Sequence, residues 1–376
     1  MASVRPDPLR VLHLHTGNTY GGIETMLTAL ARESRRAAPL ECSFGLCFAG
    51  RLRDELVGLG ASVRHLGEAR LSRPRTLRRA RERLRALLDE VPFDVAIVHL
   101  PWSQIVFGGV LRGAGTPAVL WMHGPAGGWL HRVSSLWPPD AIVCNSAFTR
   151  QTVPPAYRAL PLAIVHPALT LPSAFADERR RVRAEMGAGD DAVVIVQASR
   201  LEPWKGHAVH MRALSRLKQD PRWTLWVIGG AAAGGAGYAR RLAALAGELG
   251  IADRVRFLGE QQDVGRLLAA ADVYCQPNTE PEPFGLAYVE ALAAGRPVVA
   301  SDAGGVREIV DAATGVLVPP GDDVALAAAL TRLIGDPALR ARLGAAGPTR
   351  AADLCDAARQ TRRLADFLSC LSGQAA

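Results

Sequence analysis

The chain has 376 residues, enough for two domains of ordinary size or one large one. Apolar residues make up 49% and charged residues 21%, which excludes a disordered chain, and no apolar run approaches the ~20 residues of a membrane span. The net charge of +8 is almost all arginine, because Lys205 and Lys218 are the only lysines; base composition accounts for that bias, and no nucleic-acid partner is expected. The six cysteines form no C-x-x-C pair, and the N-terminus lacks a long apolar core before a cleavage site. A reduced, cytoplasmic chain without a signal peptide is therefore expected.

Apolar runs alternate with helical patterns throughout, which predicts an α/β fold with parallel sheets. The first strand is Arg10–His15. The loop after it, Gly17-Asn-Thr-Tyr-Gly-Gly-Ile-Glu24, can turn tightly and present helix N–H groups to a phosphate. A plain strand-to-helix turn accounts for it equally well. His13 and His15 point to one face of the strand. No third ligand accompanies them, so zinc is not expected. A strand over Ser43–Cys47 follows. Arg70–Arg85 holds eight arginines over an apolar stripe of Leu77, Ala80, Leu84, Leu87 and Leu88. The simpler reading is a surface helix with solvated charge. The sharper one is peripheral contact with an anionic membrane or a phosphorylated acceptor.

Strands over Val95–Leu100, Ala118–Met122 and Ala141–Asn145 carry His99, His123 and Asn145-Ser146 at or just past their ends. Strand ends are where open α/β sheets bind ligands. Asn145-Ser146 reads best as a helix cap. Trp102, Trp121, Trp129 and Trp137 suit sugar stacking, although core packing is the better expectation for any one of them. Val165 ends this half. Pro167, Pro172 and the charged run Asp177–Arg183 mark a linker region and the helix entering the second half, giving domains over 1–172 and 173–356.

Strands resume at Val193–Ala198, Thr224–Ile228, Val255–Leu258, Val273–Gln276, Val298–Ser301 and Gly315–Val318. After the first comes Ser199-Arg200-Leu-Glu-Pro-Trp-Lys205-Gly206. After the fourth comes Glu282-Pro-Phe-Gly-Leu-Ala-Tyr-Val-Glu290. The helix Phe284–Ala294 is apolar on every side except at Glu290, so it is expected to be buried. A buried carboxylate without a partner marks a ligand site or a hidden partner. Eight helical steps would carry Glu290 about 12 Å along the axis. Two further motifs follow, Gly295-Arg-Pro-Val-Val-Ala-Ser-Asp-Ala-Gly-Gly305 and Thr314-Gly-Val-Leu-Val-Pro-Pro-Gly-Asp322. The tail, Ala357–Leu371, reads as one helix.

Together these motifs resemble the C-terminal half of the retaining glycosyltransferases of family 4, with the match running from about Val193 to Asp323. The resemblance implies the GT-B architecture, two Rossmann-like domains with parallel sheets facing a central cleft. It implies hexosyl transfer from a UDP- or GDP-linked sugar held by the C-terminal domain to a hydroxyl-bearing acceptor held by the N-terminal one. Arg200 and Lys205 would meet the leaving diphosphate, Glu282 the transferred sugar and Glu290 the ribose. The stretch Phe284, Gly285 and Leu286 would bind donor phosphate, with Gly22 near the diphosphate. His123 would orient the donor sugar, and the last helix would cross back to the N-terminal domain. The sequence has no D-x-D pair, so catalysis without a metal is expected, and no cofactor beyond the nucleotide sugar. Two other readings stay open: a sugar-nucleotide epimerase of the same architecture, and a non-catalytic nucleotide-sugar-binding protein. A dehydrogenase is disfavoured, because the first strand lacks G-x-G-x-x-G.

Overall fold

The computed structural model describes residues 8–170, 176–230 and 236–371. Pro172 of the expected linker, and the boundary at 172/173, lie outside them. The chain divides into two compact units, one up to Thr170 together with the chain from Cys355 onward, the other from Leu171 to Leu354.

The first unit holds seven strands: β1 (Leu9–His15), β2 (Leu40–Leu46), β3 (Ser62–His65), β4 (Val95–His99), β5 (Ala118–Met122), β6 (Ala141–Cys144) and β7 (Leu162–Ile164). They form one sheet in the order β3-β2-β1-β4-β5-β6-β7. Each neighbouring pair is parallel. Its helices are α1 (Gly22–Ala37), α2 (Arg51–Gly58), α3 (Pro74–Glu90), α4 (Leu100–Ala114), α5 (Gly128–Ser134) and α6 (Ala147–Gln151). The second unit has a six-stranded parallel sheet, ordered β10-β9-β8-β11-β12-β13. Its strands are β8 (Val193–Ala198), β9 (Trp223–Ile228), β10 (Val255–Gly259), β11 (Val273–Gln276), β12 (Val298–Ser301) and β13 (Gly315–Val318). Its helices are α7 (Ala176–Glu185), α8 (His207–Ser215), α9 (Ala236–Glu248), α10 (Val264–Ala270), α11 (Leu286–Ala293), α12 (Asp323–Gly335) and α13 (Pro337–Cys355). The tail helix α14 (Ala357–Leu371) belongs to the first unit. This is the α/β fold with two parallel-sheet, Rossmann-like units that the sequence predicts.

The central strands are continuous apolar runs because helices cover both faces of each sheet. Residues Val193–Val196 of β8 are at most 4% exposed. In the first unit, Val11, Met26, Leu30, Phe44, Leu364 and Leu368 pack into one core on one face. Leu12, Leu14, Leu84, Phe107 and Leu120 form the other. The stripe expected on the arginine-rich helix is real, with Ala80, Leu84 and Leu87 buried in α3. Arg81 turns inward and donates to the carbonyls of Val106 (2.8 Å) and Ile105 (3.2 Å). Arg75, Arg79 and Arg85 lie exposed. Among the described residues no helix is long and apolar enough to cross a membrane.

In both sheets the strand order reverses beside a central strand, between β1 and β4 in the first and between β8 and β11 in the second. Loops leaving such a pair at its carboxyl end diverge to opposite faces and open a crevice. That geometry positions the residues described next.

Candidate active site

Lys205 follows β8 and Glu282 follows β11, so the second crevice brings together two residues separated by 77 positions. The backbone forces the approach. Gly206 has φ +74°, and a Cβ there would lie 1.7 Å from the Pro277 carbonyl, so only glycine lets the Pro203–Lys205 turn sit against the end of β11. Thr279 N–H donates to the Trp204 carbonyl at 2.8 Å and joins the two loops. Glu282 is pinned from the other side. Gly305 N–H donates to its carbonyl at 2.7 Å. At Gly304, φ +77°, a Cβ would come within 2.3 Å of the same oxygen.

Three donors converge on Glu282 Oε2: Lys205 Nζ at 2.6 Å, Asn278 Nδ2 at 2.7 Å and Gln276 Nε2 at 3.3 Å. Oε1 has no partner among the described residues. Behind this cluster, Tyr274 O–H donates to Gln276 Oε1 at 2.6 Å, and Tyr288 O–H donates to the Gln276 carbonyl at 3.1 Å. Burial raises both phenols well above their usual range. The Lys205 ammonium also lies 3.8 Å from the Trp204 ring centroid. Its carbonyl accepts from Gln197 Nε2 at 2.8 Å, while Gln197 Oε1 contacts His210 Nδ1 at 2.9 Å. Burial holds His210 down at about 3, so it is neutral and must carry its hydrogen on Nδ1 to serve the amide oxygen. Further hydrogen bonds to the paired oxygen, here from Asn278 and Gln276, help to offset the desolvation of a buried ion pair.

The other expected donor residues surround this pair without bonding to it. Arg200 is exposed and meets Glu202 at 3.2 Å. Phe284 is packed into the core, at 2% exposure, so only its backbone can serve a ligand. Gly285 is the N-cap of α11 and brings no side-chain cap, which leaves the first N–H groups, including that of Leu286, to other acceptors. Glu290 keeps part of its surface open, but protein encloses it enough to raise its carboxyl from 4.5 to about 7 by desolvation. It has no hydrogen-bond partner among the described residues.

In the first unit, Gly22 opens α1. The first turn of that helix already holds a carboxylate, since buried Glu24 takes His15 Nε2 at 2.7 Å. His123, just past β5, contacts His99 Nδ1 through Nε2 at 2.9 Å, and His99 Nε2 contacts His13 Nδ1 at 3.0 Å. Ser146 caps α6, accepting from Thr149 N–H at 2.9 Å, as expected of Asn145-Ser146. No group of three or more metal-binding side chains occurs among the described residues. The reversal between β1 and β4 opens an outward-facing cavity of about 440 Å³ lined by Thr16, Asn18, Phe48, Arg70, Trp102 and Trp129. Trp121 is core, at 0% exposure, whereas Trp129 is 58% exposed at the cavity rim. Trp102 Nε1–H donates to the Ala69 carbonyl at 3.0 Å and fixes one wall. Leu100, with φ +76°, makes the strained turn from β4 into α4 that sets Trp102 there. Arg70 bonds Glu68 through Nε at 2.9 Å and lies over the Phe48 ring, and its outer nitrogens have no hydrogen-bond partner among the described residues.

Sequence reasoning missed Gln276, Asn278, Tyr274 and Gln197. The available signal was that Gln276 and Asn278 are polar residues at the end of an otherwise apolar strand.

Two family models match successive parts of the chain. Residues 20–170 match the model described as glycosyltransferase family 4, and residues 178–350 match glycosyl transferases group 1. The D-inositol 3-phosphate glycosyltransferase of Stackebrandtia nassauensis is 37% identical over 223 residues, 57% of this chain and 50% of that protein. The phosphatidyl-myo-inositol mannosyltransferase of Mycobacterium leprae is 43% identical over 151 residues, 39% of this chain and 38% of that one. The chain thus spans about half the length, or less, of these relatives. HepE of Anabaena, solved with UDP and glucose, superposes with a TM-score of 0.86 at 24% identity, covering 96% of this chain and 99% of that one. That likeness shows the fold. From motifs, sheet order and both family models, the chain belongs to the family 4 glycosyltransferases of the GT-B fold.

Proposed function

We propose that the chain is a retaining, metal-independent glycosyltransferase that moves a hexosyl group from a UDP- or GDP-sugar to an acceptor hydroxyl. The observation that carries this reading is the Glu282 carboxylate. One oxygen is clamped by Lys205, Asn278 and Gln276. The other is left open in the crevice at the strand reversal, where a sugar hydroxyl can donate to it.

As the sugar C1–O bond to the diphosphate breaks, negative charge grows on the leaving phosphate. Arg200 offers a fork to that charge, Lys205 a point charge already held in place, and the Gly285 and Leu286 N–H groups a helix terminus. The backbone of Gly22 and the His123 ring are assigned to the donor diphosphate and the transferred sugar. Glu290, whose carboxyl has no hydrogen-bond partner among the described residues, is assigned to the ribose diol. The family resemblance implies front-face substitution: the acceptor oxygen attacks C1 on the leaving-group face as the C1–O bond to the diphosphate breaks, and its proton passes to the departing diphosphate.

The acceptor is assigned to the cavity at the β1–β4 reversal. Its aromatic rims suit a sugar or cyclitol ring, and the outer nitrogens of Arg70 suit an anionic substituent. Both named relatives act on inositol compounds, which supports a phosphorylated polyol. The exposed arginines of α3 suit an anionic lipid surface beside it. Sedimentation with anionic vesicles tests that contact.

Initial rates with UDP- and GDP-hexoses and inositol phosphate, with and without EDTA, test the whole reading. Product with the donor's anomeric configuration is expected, undiminished by chelation. An inverted product, or loss of activity on chelation that magnesium restores, would overturn the corresponding part. Epimerised sugar nucleotide formed without acceptor would replace transfer with epimerisation.

A further inference from the structure

A row of rings crosses the first sheet: Phe44 on β2, His13 on β1, His99 on β4 and His123 beyond β5. Adjacent centroids lie 5.2, 5.3 and 5.2 Å apart, with interplanar angles of 17°, 16° and 25°. Each ring plane is therefore nearly parallel to the next. The three imidazoles are joined nitrogen to nitrogen, His13 Nδ1 to His99 Nε2 at 3.0 Å and His99 Nδ1 to His123 Nε2 at 2.9 Å. Each junction holds one hydrogen, so three neutral rings allow two directions. They are neutral: desolvation lowers His13 and His123 to about 3, and His99 well below its usual value. The nearest other titratable groups are His15, edge-on to His99, and its partner Glu24.

The two directions differ at the buried end. If His123 donated inward, His13 would carry its hydrogen on Nε2. That nitrogen is buried with no partner. The ring of Phe44 stacks on His13 with its centroid 5.2 Å away, and it carries no oxygen or nitrogen to accept a hydrogen bond. A buried N–H without an acceptor is rarer than an acceptor left unused. If donation runs outward, Nε2 of His13 carries an unused lone pair, which costs less than an unpaired N–H. His99 then donates from Nδ1 to His123 Nε2. His123 must carry its own hydrogen on Nδ1, the nitrogen with no partner among the described residues.

We infer that His13 and His99 are positioning residues that lock His123 as its Nδ1–H tautomer, so that His123 meets an oxygen ligand such as a sugar hydroxyl as a donor and not as a base. The inference rests on the assignment of His123 to a ligand, but it concerns a proton that the unliganded chain reports by itself.

The test is a long-range proton–nitrogen spectrum of the full chain labelled with ¹⁵N-histidine near neutral pH, with His123 assigned by His123→Gln. The expected pattern is a neutral ring protonated on Nδ1, unchanged on acidification to about pH 5. A ring protonated on Nε2, or an imidazolium, would overturn the inference. His99→Phe removes the donor and should release His123 to a mixture of tautomers. His99→Gln keeps an amide donor and should restore Nδ1–H. Transfer by His99→Phe should fall about tenfold in kcat, the effect of one lost hydrogen bond, with His99→Gln nearer the parent. If His99→Phe does not fold, the parent spectrum still decides. An Nδ1–H spectrum in a chain without transfer activity would fail the functional reading alone. Active transfer with Nε2–H would fail this one alone.

Discussion

Lys205 and Arg200 flank the same turn, yet they stand in opposite energetic positions. The Lys205 side chain is 11% exposed and paired with an equally buried Glu282. Removing it strands a carboxylate away from water. Lys205→Ala should cost about 3–5 kcal/mol of stability in urea unfolding, as well as activity. Arg200, on the surface, should cost within about 0.5 kcal/mol when replaced by Ala, so its loss should appear in turnover alone, by roughly a hundredfold. Equal stability losses in both variants would contradict the burial difference. Glu290 adds a pH dependence with a definite sign. Its folded value, about 7, is above the 4.5 of a free carboxyl, so the folded chain binds more protons between them. Stability from this group is full below about pH 4.5 and is lost as pH rises through about 7. Glu290→Gln should therefore melt increasingly above the parent as pH rises through that window, with a constant difference beyond it. A difference independent of pH would refute the raised value.

At the scale of elements, α7 shows how a charged run becomes structural. The sequence reads Asp177–Arg183 as a linker region and the helix entering the second half, and in that helix Arg179 Nη2 and Arg183 Nη1 meet Asp272 at 2.6 and 3.0 Å. Asp272 Oδ2 also accepts from the Val194 N–H at 2.7 Å. One carboxylate ties α7, β8 and the start of β11. Asp272→Ala should leave Arg183, whose side chain is 4% exposed, as a buried unpaired cation. The expected loss is about 3–5 kcal/mol, read by thermal or urea unfolding. Asp322 has a smaller task. It caps α12, accepting from Val324 and Ala325 N–H at 3.0 and 2.8 Å, and Asp322→Ala should cost about 1 kcal/mol. The elements differ in how legible they were. Strands such as β8, β11 and β12 were readable to the residue, because burial on both faces leaves a nearly continuous apolar run. Strand β3, Ser62-Val-Arg-His65, was missed. It lies at the sheet edge with three of its four residues exposed, so no periodicity marks it. It exists because β2 offers a free edge, which is a tertiary fact.

At the scale of the whole molecule, the last helix returns to the first unit. Leu364 and Leu368 are both 0% exposed and share a core with Met26 and Leu30. Leu169 N–H donates to the Cys355 carbonyl at 2.9 Å, and His166 N–H donates to Gln360 Oε1 at 3.1 Å. Leu364→Ala should cost about 2–5 kcal/mol, and hydrogen exchange should show protection falling in the unit that ends at Thr170, not in the other. Loss confined to the second unit would contradict this packing. The sequence alone determined the α/β class, the positions of the buried strands and the motifs holding Arg200, Lys205, Glu282 and Glu290. Those follow from local patterning, since periodicity and glycine placement are properties of short segments. It did not determine partners. Lys205 meets Glu282, and Gln276 and Asn278 join them, only because β8 and β11 are adjacent at a strand reversal. His13, His99 and His123 form a row only because β1, β4 and β5 are neighbours. Which side chains touch across a sheet depends on strand order and register, and long-range packing settles both.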